Sequence, residues 1–422
     1  MTKAKINSSI YSLTLLIVLT FLFRIVAVYF IEEMNVDIDL SSKYVNEWNI
    51  LLQNLIKFKS YSFYTFEGEL IPSVYMPPMY PFFLYLIKVF TSFEGKNLLN
   101  AIFIAQIVLS TYSIYLFYQI NQNFFSNNIS LINSAVFSFF PLNIYVCGQV
   151  SSICLQILLS LLFLNLLLKL LKAETFKNTI LFSIASGLLI LTRGEFLLIF
   201  FIIILFSIYK KKIKLINFVK IILIISLILS PYLIRNYMHF NQITLVKSLG
   251  YNLWKGNNEL SSVQGYENYK NNKFEDLEFK IKNLEKNKYY EINRDNIFLK
   301  EAKNNLNEKP FSYLNLFFRK ILSFYFIDLK STYPNYYNIF NILPVLIIAI
   351  FSLPGLLLFL KKRNIKNDHF LIYLFSNLFI FSIFFILPRY KLIILPIQII
   401  FAAYFVIGFL EKLTNVKKNN ID

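Results

Sequence analysis

The stretch "LLILTRGEFLLIFFIIILF" (residues 188–206) interrupts a strongly apolar run with two opposite charges, Arg193 and Glu195. A single helix over residues 177–209 would put the lysine cluster at 210–214 on the opposite side of a membrane from the other short lysine-rich loops. A turn at the glycine between the two charges avoids this. Each arm is then about 22 Å long, shorter than a hydrocarbon core of about 30 Å. The two charges are therefore expected to face a water-filled, outward-opening cavity.

The composition of the whole chain is that of a membrane protein. Of its 422 residues, 56% are hydrophobic, 18% aromatic and only 16% charged, and the mean hydropathy is +0.54. Soluble domains have a larger charged share. The net charge of +18 is spread mostly over lysines between the apolar runs, which is typical of membrane orientation rather than of a DNA-binding face. We expect an all-α polytopic membrane protein with no nucleic-acid partner.

The apolar runs predict ten helices, the first of which is expected to be an uncleaved membrane anchor. The ten predicted helices cover residues 9–31, 98–120, 129–147, 151–171, 177–192, 195–209, 215–235, 339–360, 369–387 and 391–411. The lysine-rich short loops and both termini are expected on the cytoplasmic side.

This orientation divides the chain into three parts. Residues 1–235 form a transmembrane core that includes a first outer loop, 32–97; residues 236–338 form a second outer segment; and residues 339–422 form the C-terminal transmembrane helices.

Both outer segments contain predicted helices. In the first, "VYMPPMYPFFLYLIKVF" (74–90) predicts a short helix in the membrane interface after a proline pair. In the second, "YYEINRDNIFLKEAKNNLNEKPF" (289–311) predicts an exposed amphipathic helix that ends at Pro310.

Arginine is rare in this chain, so its positions are informative. Only seven of the 42 basic residues are arginine, and five of these lie near predicted outer ends of apolar segments: Arg24, Arg193, Arg235, Arg319 and Arg389. The guanidinium group suits phosphate recognition, so a phosphate-bearing lipid in the cavity is one hypothesis. The alternative is that these arginines reach lipid headgroups or pair with Glu195 and Asp39.

Histidine and cysteine are too few to indicate a metal or cofactor site. The chain has two histidines, His239 and His369, and two cysteines, Cys147 and Cys154, without metal-ligand spacing. The cysteines are expected to be structural and the histidines to be interfacial and non-catalytic. No metal and no cofactor is expected.

Four stretches resemble the GT-C membrane glycosyltransferases. They are "VYMPPMYPFFLYL" (74–86), "LTRGEF" (191–196), "SPYLIRNYMHFNQITLVKSLGYNLWKGNN" (230–258) and "RYKLIILP" (389–396). Within that superfamily the chain looks like bacterial relatives of protein O-mannosyltransferases and of lipid A aminoarabinose transferase. The resemblance implies ten or more helices around an outward cavity in the bacterial cytoplasmic (inner) membrane. It also implies sugar transfer from a polyprenyl-phosphate-linked donor to a protein, lipid or glycan acceptor.

The resemblance further implies an acidic catalytic residue in the first outer loop. "NVDIDLSSKYVNEWNILLQN" (35–54) occupies that place, with Asp39 as the first choice and Asp37 as the reserve. Relatives often carry a basic residue before the proline pair, where this chain has Met76, and an acidic residue early in the fourth helix, where it has "VSSICLQ" (150–156). The phosphate contact is therefore expected from among Arg24, Arg193, Arg235, Lys320 and Arg389.

Aromatic and amide side chains suggest where a sugar could bind. Trp254 with Asn257 and Asn258 offers an aromatic face beside amide groups, and Tyr75 could stack on a sugar ring. The alternatives are a turn with Trp254 on the membrane surface, and an aromatic belt that includes Tyr75.

Two other functions remain open from the residues. A lipid-linked sugar transporter would place its charges near the bilayer midplane and often shows two related halves. An O-antigen ligase or polymerase would also use outer-loop arginines.

Overall fold

The computed structural model describes residues 3–34, 47–331, 338–361 and 365–419. Helices over these ranges comprise α1 (Lys3–Met34), α2 (Glu47–Phe58), α3 (Met79–Thr91), α4 (Gly95–Asn121), α5 (Asn127–Ser138), α6 (Pro141–Tyr145), α7 (Ile153–Lys172), α8 (Phe176–Thr192), α9 (Phe196–Tyr209), α10 (Leu215–Phe240), α11 (Leu249–Gly256), α12 (Glu275–Lys282), α13 (Tyr290–Glu308), α14 (Pro310–Tyr325), α15 (Ile339–Lys361), α16 (Ile365–Ile383) and α17 (Leu395–Asn419). Short 3-10 helices lie at Val146–Gly148, Asn272–Phe274 and Pro388–Ile393. A two-stranded sheet pairs β1 (Ser62–Phe66) with β2 (Glu69–Pro72). The predicted all-α polytopic class is confirmed.

The apolar helices pack into one hydrophobic core. Within it α7 lies between α4 and α8, α8 also packs on α10, α9 packs on α16, and α15 packs on α17. Five helices in the described ranges are long and apolar enough to cross a membrane: Tyr11–Phe30, Gly95–Asn121, Ile153–Lys172, Leu215–Phe240 and Ile339–Lys361. The predicted total of about ten crossings requires the shorter apolar helices, such as α8 and α9, to cross as well.

One predicted helix is broken. The run predicted as a single helix over 129–147 ends at Ser138 and restarts at Pro141, with a bend of 61° between the two parts. Proline tolerates the first turn of a helix but not its interior, so Pro141 starts α6 instead of continuing α5. The first outer loop adds a hairpin that the sequence interpretation did not foresee, turning at Glu67 and Gly68, both with positive φ.

The outer segment has a small core of its own. Trp254, Phe274, Phe298 and their neighbours pack α11, α12 and α13 together. The predicted amphipathic helix is confirmed as α13, which ends two residues before Pro310, and Pro310 then opens α14. The predicted helix after the proline pair is confirmed as α3.

Candidate active site

The break between α8 and α9 lies beside a cavity, as the opening stretch predicts. Arg193 is extended, with φ −152° and ψ 119°, so it ends α8, and Gly194 and Glu195 form the turn that precedes α9. All three residues line a cavity of about 630 Å³. Arg193 and Glu195 therefore line the same cavity, and its opening toward the outer face of the membrane stays a prediction.

The rest of the cavity wall comes from distant parts of the chain. Glu47 and Trp48 enter from α2, and Tyr75 to Pro77 from the segment before α3. Tyr251, Asn252 and Lys255 come from α11, and Arg389 and Tyr390 from the 3-10 helix after α16. The cavity thus joins both outer segments to the C-terminal helices.

Arg193 is held in the wall by both an aromatic face and polar atoms. Its guanidinium lies 4.3 Å from the ring centre of Tyr390 and 5.1 Å from that of Phe381. NH1 donates to Gln156 Oε1 at 3.3 Å, and Nε lies 3.9 Å from Glu195 Oε2. An amide oxygen orients a cation without neutralising it, so Glu195 is the nearest counter-charge among the described contacts. Gln156 belongs to "VSSICLQ", where relatives often have an acidic residue.

Lys255 is a second cation in the wall that the sequence interpretation missed. Its Nζ forms an ion pair with Glu267, which also lines the cavity, and lies 4.7 Å from the ring centre of Phe385. The loop that carries Glu267 folds back on α11, because Tyr266 N and Ser261 Oγ both donate to the Lys255 carbonyl at 2.8 and 2.9 Å. No local pattern in the sequence brings residues 255 and 267 together at this cavity.

Glu47 is a carboxylate of the first outer loop that faces the cavity. It stands in the first turn of α2, next to Trp48. Although Glu47 as a whole is exposed, the protein around its carboxyl raises the pKa of that group, and nearby Lys255 lowers it in part. A carboxylate with a raised pKa accepts a proton more readily near neutral pH. Glu47 lies within the stretch 35–54 quoted for the catalytic position, which is the signal that could have identified it.

Asp39 and Asp37 lie outside the described residues, so their predicted catalytic role stays a prediction. Of the other predicted site residues, four line the cavity: Tyr75, Arg193, Glu195 and Arg389.

Three predicted phosphate-binding residues do not line the cavity. Their donor groups are instead hydrogen-bonded to other parts of the protein. Arg24 is fully buried and donates to Ser110 Oγ at 3.2 Å and to the Ser138 carbonyl at 2.9 Å. Lys320 is also fully buried and donates to the Gly256 carbonyl at 2.8 Å. Arg235 donates to backbone carbonyls of the first outer loop.

The predicted sugar-binding group is instead part of the outer-segment core. Trp254 is fully buried against Phe274 and Phe298, with ring centres 5.2 and 4.9 Å away. The side-chain amides of Asn257 and Asn258 are buried and donate to backbone carbonyls around the end of α11. The structure therefore corrects the placement of all three residues.

The alternative of a turn at this position is also wrong, because Gly250 and Gly256 are helical. A Cβ on Gly250 would lie 2.0 Å from the Asp295 carbonyl oxygen, and one on Gly256 would lie 2.0 Å from that of Phe384. Both glycines permit helix α11 to approach another backbone closely.

A protein-family model agrees with the resemblance found in the sequence. The model, described as dolichyl-phosphate-mannose-protein mannosyltransferase, matches residues 76–234. A search of curated proteins found no match.

Solved structures of oligosaccharyltransferases from the archaeon Archaeoglobus fulgidus, among them AglB, have a similar fold. The complex with an inhibitory peptide and a dolichol-phosphate has 14% sequence identity and a TM-score of 0.57, covering 99% of this chain and 52% of that one. The apo form has 14% identity and a TM-score of 0.51 over 89% and 48%. The form tethered to an acceptor peptide has 16% identity and a TM-score of 0.52 over 87% and 45%. This chain therefore spans about half the length of those proteins and shares their fold, in agreement with the membrane fold expected from the sequence.

Proposed function

We propose that the protein transfers a sugar from a polyprenyl-phosphate-linked donor to a hydroxyl-bearing protein, lipid or glycan acceptor on the outer face of the bacterial inner membrane. The observation that carries this proposal is one cavity that contains two arginines, Arg193 and Arg389, together with the first-loop carboxylate of Glu47. The family-model match and the AglB fold, one of whose structures contains a dolichol-phosphate, support a lipid-linked donor.

The proposed reaction assigns complementary tasks to these groups. A carboxylate of the first outer loop takes the proton of the acceptor hydroxyl while its oxygen attacks the anomeric carbon. The bond from that carbon to the donor's phosphate oxygen breaks, and the phosphate leaves with the negative charge. Arg193 and Arg389 stabilise this charge, because planar guanidinium groups bind phosphate oxygens in pairs.

Three carboxylates of the first outer loop are candidates for the base. Asp39 remains the first choice and Asp37 the reserve, both from the resemblance. Glu47 joins them because its carboxyl lines the cavity and its pKa is raised by loss of water.

The test compares Asp39→Asn, Asp37→Asn and Glu47→Gln in a strain that lacks the chromosomal copy. Mass spectrometry of extracted lipids should show a lipid-linked sugar that accumulates in the deletion strain and disappears when the parent is restored. The variant without its base should accumulate the same lipid while reaching parental levels in the membrane. Processing of the lipid by all three variants at the parental rate would refute a first-loop carboxylate base.

The outer location of the cavity has a separate test. Phe279 on α12 is 68% exposed, while Cys147 and Cys154 are buried, so Phe279→Cys introduces a single accessible thiol. A membrane-impermeant maleimide should label this variant in intact spheroplasts and leave the parent unlabelled. Labelling only after lysis would put the outer segment on the cytoplasmic side.

A further inference from the structure

The segment from Ser73 to Met76 has no regular secondary structure, yet its backbone is bonded to several distant parts of the chain. The Ser73 amide donates to the Tyr61 carbonyl at 2.8 Å, and the Val74 carbonyl accepts from the Lys247 amide at 2.8 Å. The first bond comes from the start of the hairpin and the second from the outer segment. These two bonds therefore connect the segment to the hairpin and to the outer segment.

Two tyrosines converge on the last carbonyl of this segment. Tyr61 Oη and Tyr232 Oη donate to the Met76 carbonyl at 2.8 and 3.4 Å. Because Tyr232 belongs to α10, its bond connects the carbonyl before the proline pair to a long apolar helix.

One peptide group in the segment is held by a cation and an anion. Arg235 NH1 donates to the Ser73 carbonyl at 2.5 Å, and the amide of the same peptide, on Val74, donates to Glu291 Oε2 at 2.6 Å. Ser73 Oγ also donates to Glu291 Oε1 at 2.8 Å. Hydrogen bonds with one charged partner are shorter and stronger than neutral ones. This peptide therefore joins α10 to α13.

The next residues of the same segment form cavity wall. Tyr75, Met76 and Pro77 all line the cavity that contains Arg193. The Tyr75 and Tyr251 rings lie 6.2 Å apart, so this side of the wall also contacts α11. A displacement of the 73–74 peptide would move these side chains into or away from the cavity.

We infer that Arg235 and Glu291 are positioning residues, which fix the Ser73–Val74 peptide so that Tyr75 to Pro77 form a preorganised wall for the lipid-phosphate donor. Arg235 thus acts on the donor site through the backbone and not as a phosphate ligand. The bonds of Arg235 and Glu291 to the Ser73–Val74 peptide form a clamp, which rests only on the contacts above. The role of this clamp in donor binding rests on the proposed function. Preorganised walls improve affinity because less ordering is needed on binding.

The test uses the full chain in nanodiscs and reads the cavity directly. Trp48 lines the cavity and Trp254 is the second of two tryptophans, so Trp254→Phe leaves Trp48 as the sole fluorescent reporter. In this background, Arg235→Lys and Glu291→Gln are titrated with farnesyl phosphate, and farnesol is the uncharged probe. We expect both variants to bind farnesyl phosphate about tenfold more weakly, with a smaller change for farnesol.

Hydrogen exchange provides the readout of the clamp. Both variants should speed exchange of the Val74 amide about tenfold or more. The matched control is Asp295→Asn, since Asp295 also lies on α13 and accepts a backbone amide, that of Tyr251 at 2.9 Å. It should speed exchange at the start of α11 and leave Val74 unchanged.

The outcomes separate the clamp from the proposed function. Faster Val74 exchange with unchanged farnesyl phosphate affinity would overturn the positioning role, and unchanged exchange in both variants would overturn the clamp. If the parent binds neither probe, the donor site of the proposed function fails, and the clamp stands or falls on exchange alone. Lys309→Met, which breaks an exposed ion pair with Glu259 in the same outer segment, should change neither readout.

Discussion

Arg193 packs over the ring of Tyr390, and the residue after that tyrosine, Lys391, is a basic side chain in a different environment. Arg193 lines the cavity, and its contacts are one amide oxygen, two aromatic rings and a carboxylate 3.9 Å away. Lys391 is 3% exposed and donates to the carbonyls of Phe324, Tyr325 and Phe326 at the end of α14. One cation faces a space that a ligand can enter, while the other completes a helix end.

Other interior cations resemble Lys391. Arg24, Arg235 and Lys320 also donate to backbone carbonyls. Carbonyls at helix ends and in irregular segments need donors when they are buried, and a long basic side chain can reach them. A basic residue near the end of an apolar segment is thus as suitable for donating hydrogen bonds to buried backbone carbonyls as for binding a phosphate.

The largest effect that would test this difference is expected at Lys391. Lys391→Met leaves three carbonyls without their shared donor and should lower the free energy of unfolding by about 3 kcal/mol. Arg193→Met should cost much less, because its side chain borders the cavity and does not complete the hydrogen bonds of buried carbonyls. Thermal unfolding of the two variants in the same detergent compares them. Equal losses would remove the distinction between cavity and interior cations.

The next largest effect is expected in a binding measurement. Here the cavity cation should matter and the interior one should not. Arg193→Lys keeps the charge but loses the planar fork and the stacking on Tyr390, so affinity for farnesyl phosphate should fall about tenfold, or about 1.4 kcal/mol. Lys320→Arg alters a cation outside the cavity and should leave this affinity unchanged. Isothermal titration with the parent and both variants checks it. An unaltered affinity in Arg193→Lys would assign Arg193 a structural role.

The smallest effect concerns the pH dependence of stability. Burial lowers the pKa of Lys320 to about 7, from an ordinary value of 10.5. Between these values the unfolded chain holds a proton that the folded chain has released, so stability rises as pH increases from 7 to 10.5. Relative to Lys320→Met, the parent's melting temperature should rise by about 1 °C between pH 7 and pH 8, because the free energy of unfolding increases by about 1 kcal/mol over that pH unit. Parallel pH curves for the two proteins would show that Lys320 does not titrate there.

Most of the helices could be predicted because bilayer length and apolar periodicity act locally. The predicted helix 195–209 is α9, Phe196–Tyr209, and the break at Arg193 follows from charges that lipid does not tolerate. The break in 129–147 was missed, although Pro141 marks it. The hairpin at Glu67 and Gly68 was missed because its strands are short and are stabilised by contacts with the outer segment, such as that of Tyr64 with Arg294.

The site was only partly predictable, since side chains brought together across the fold leave no local pattern. The sequence by itself determined an apolar, multi-helix body and a charged break whose residues must face water, because both follow from the cost of placing polar groups in hydrocarbon. Which other cations join Arg193 at the cavity was decided by the tertiary structure alone. Lys255 and Arg389 meet Arg193 there, whereas Arg24 and Lys320 are bonded elsewhere, because the packing of distant helices sets which hydrogen-bond acceptors each side chain can reach.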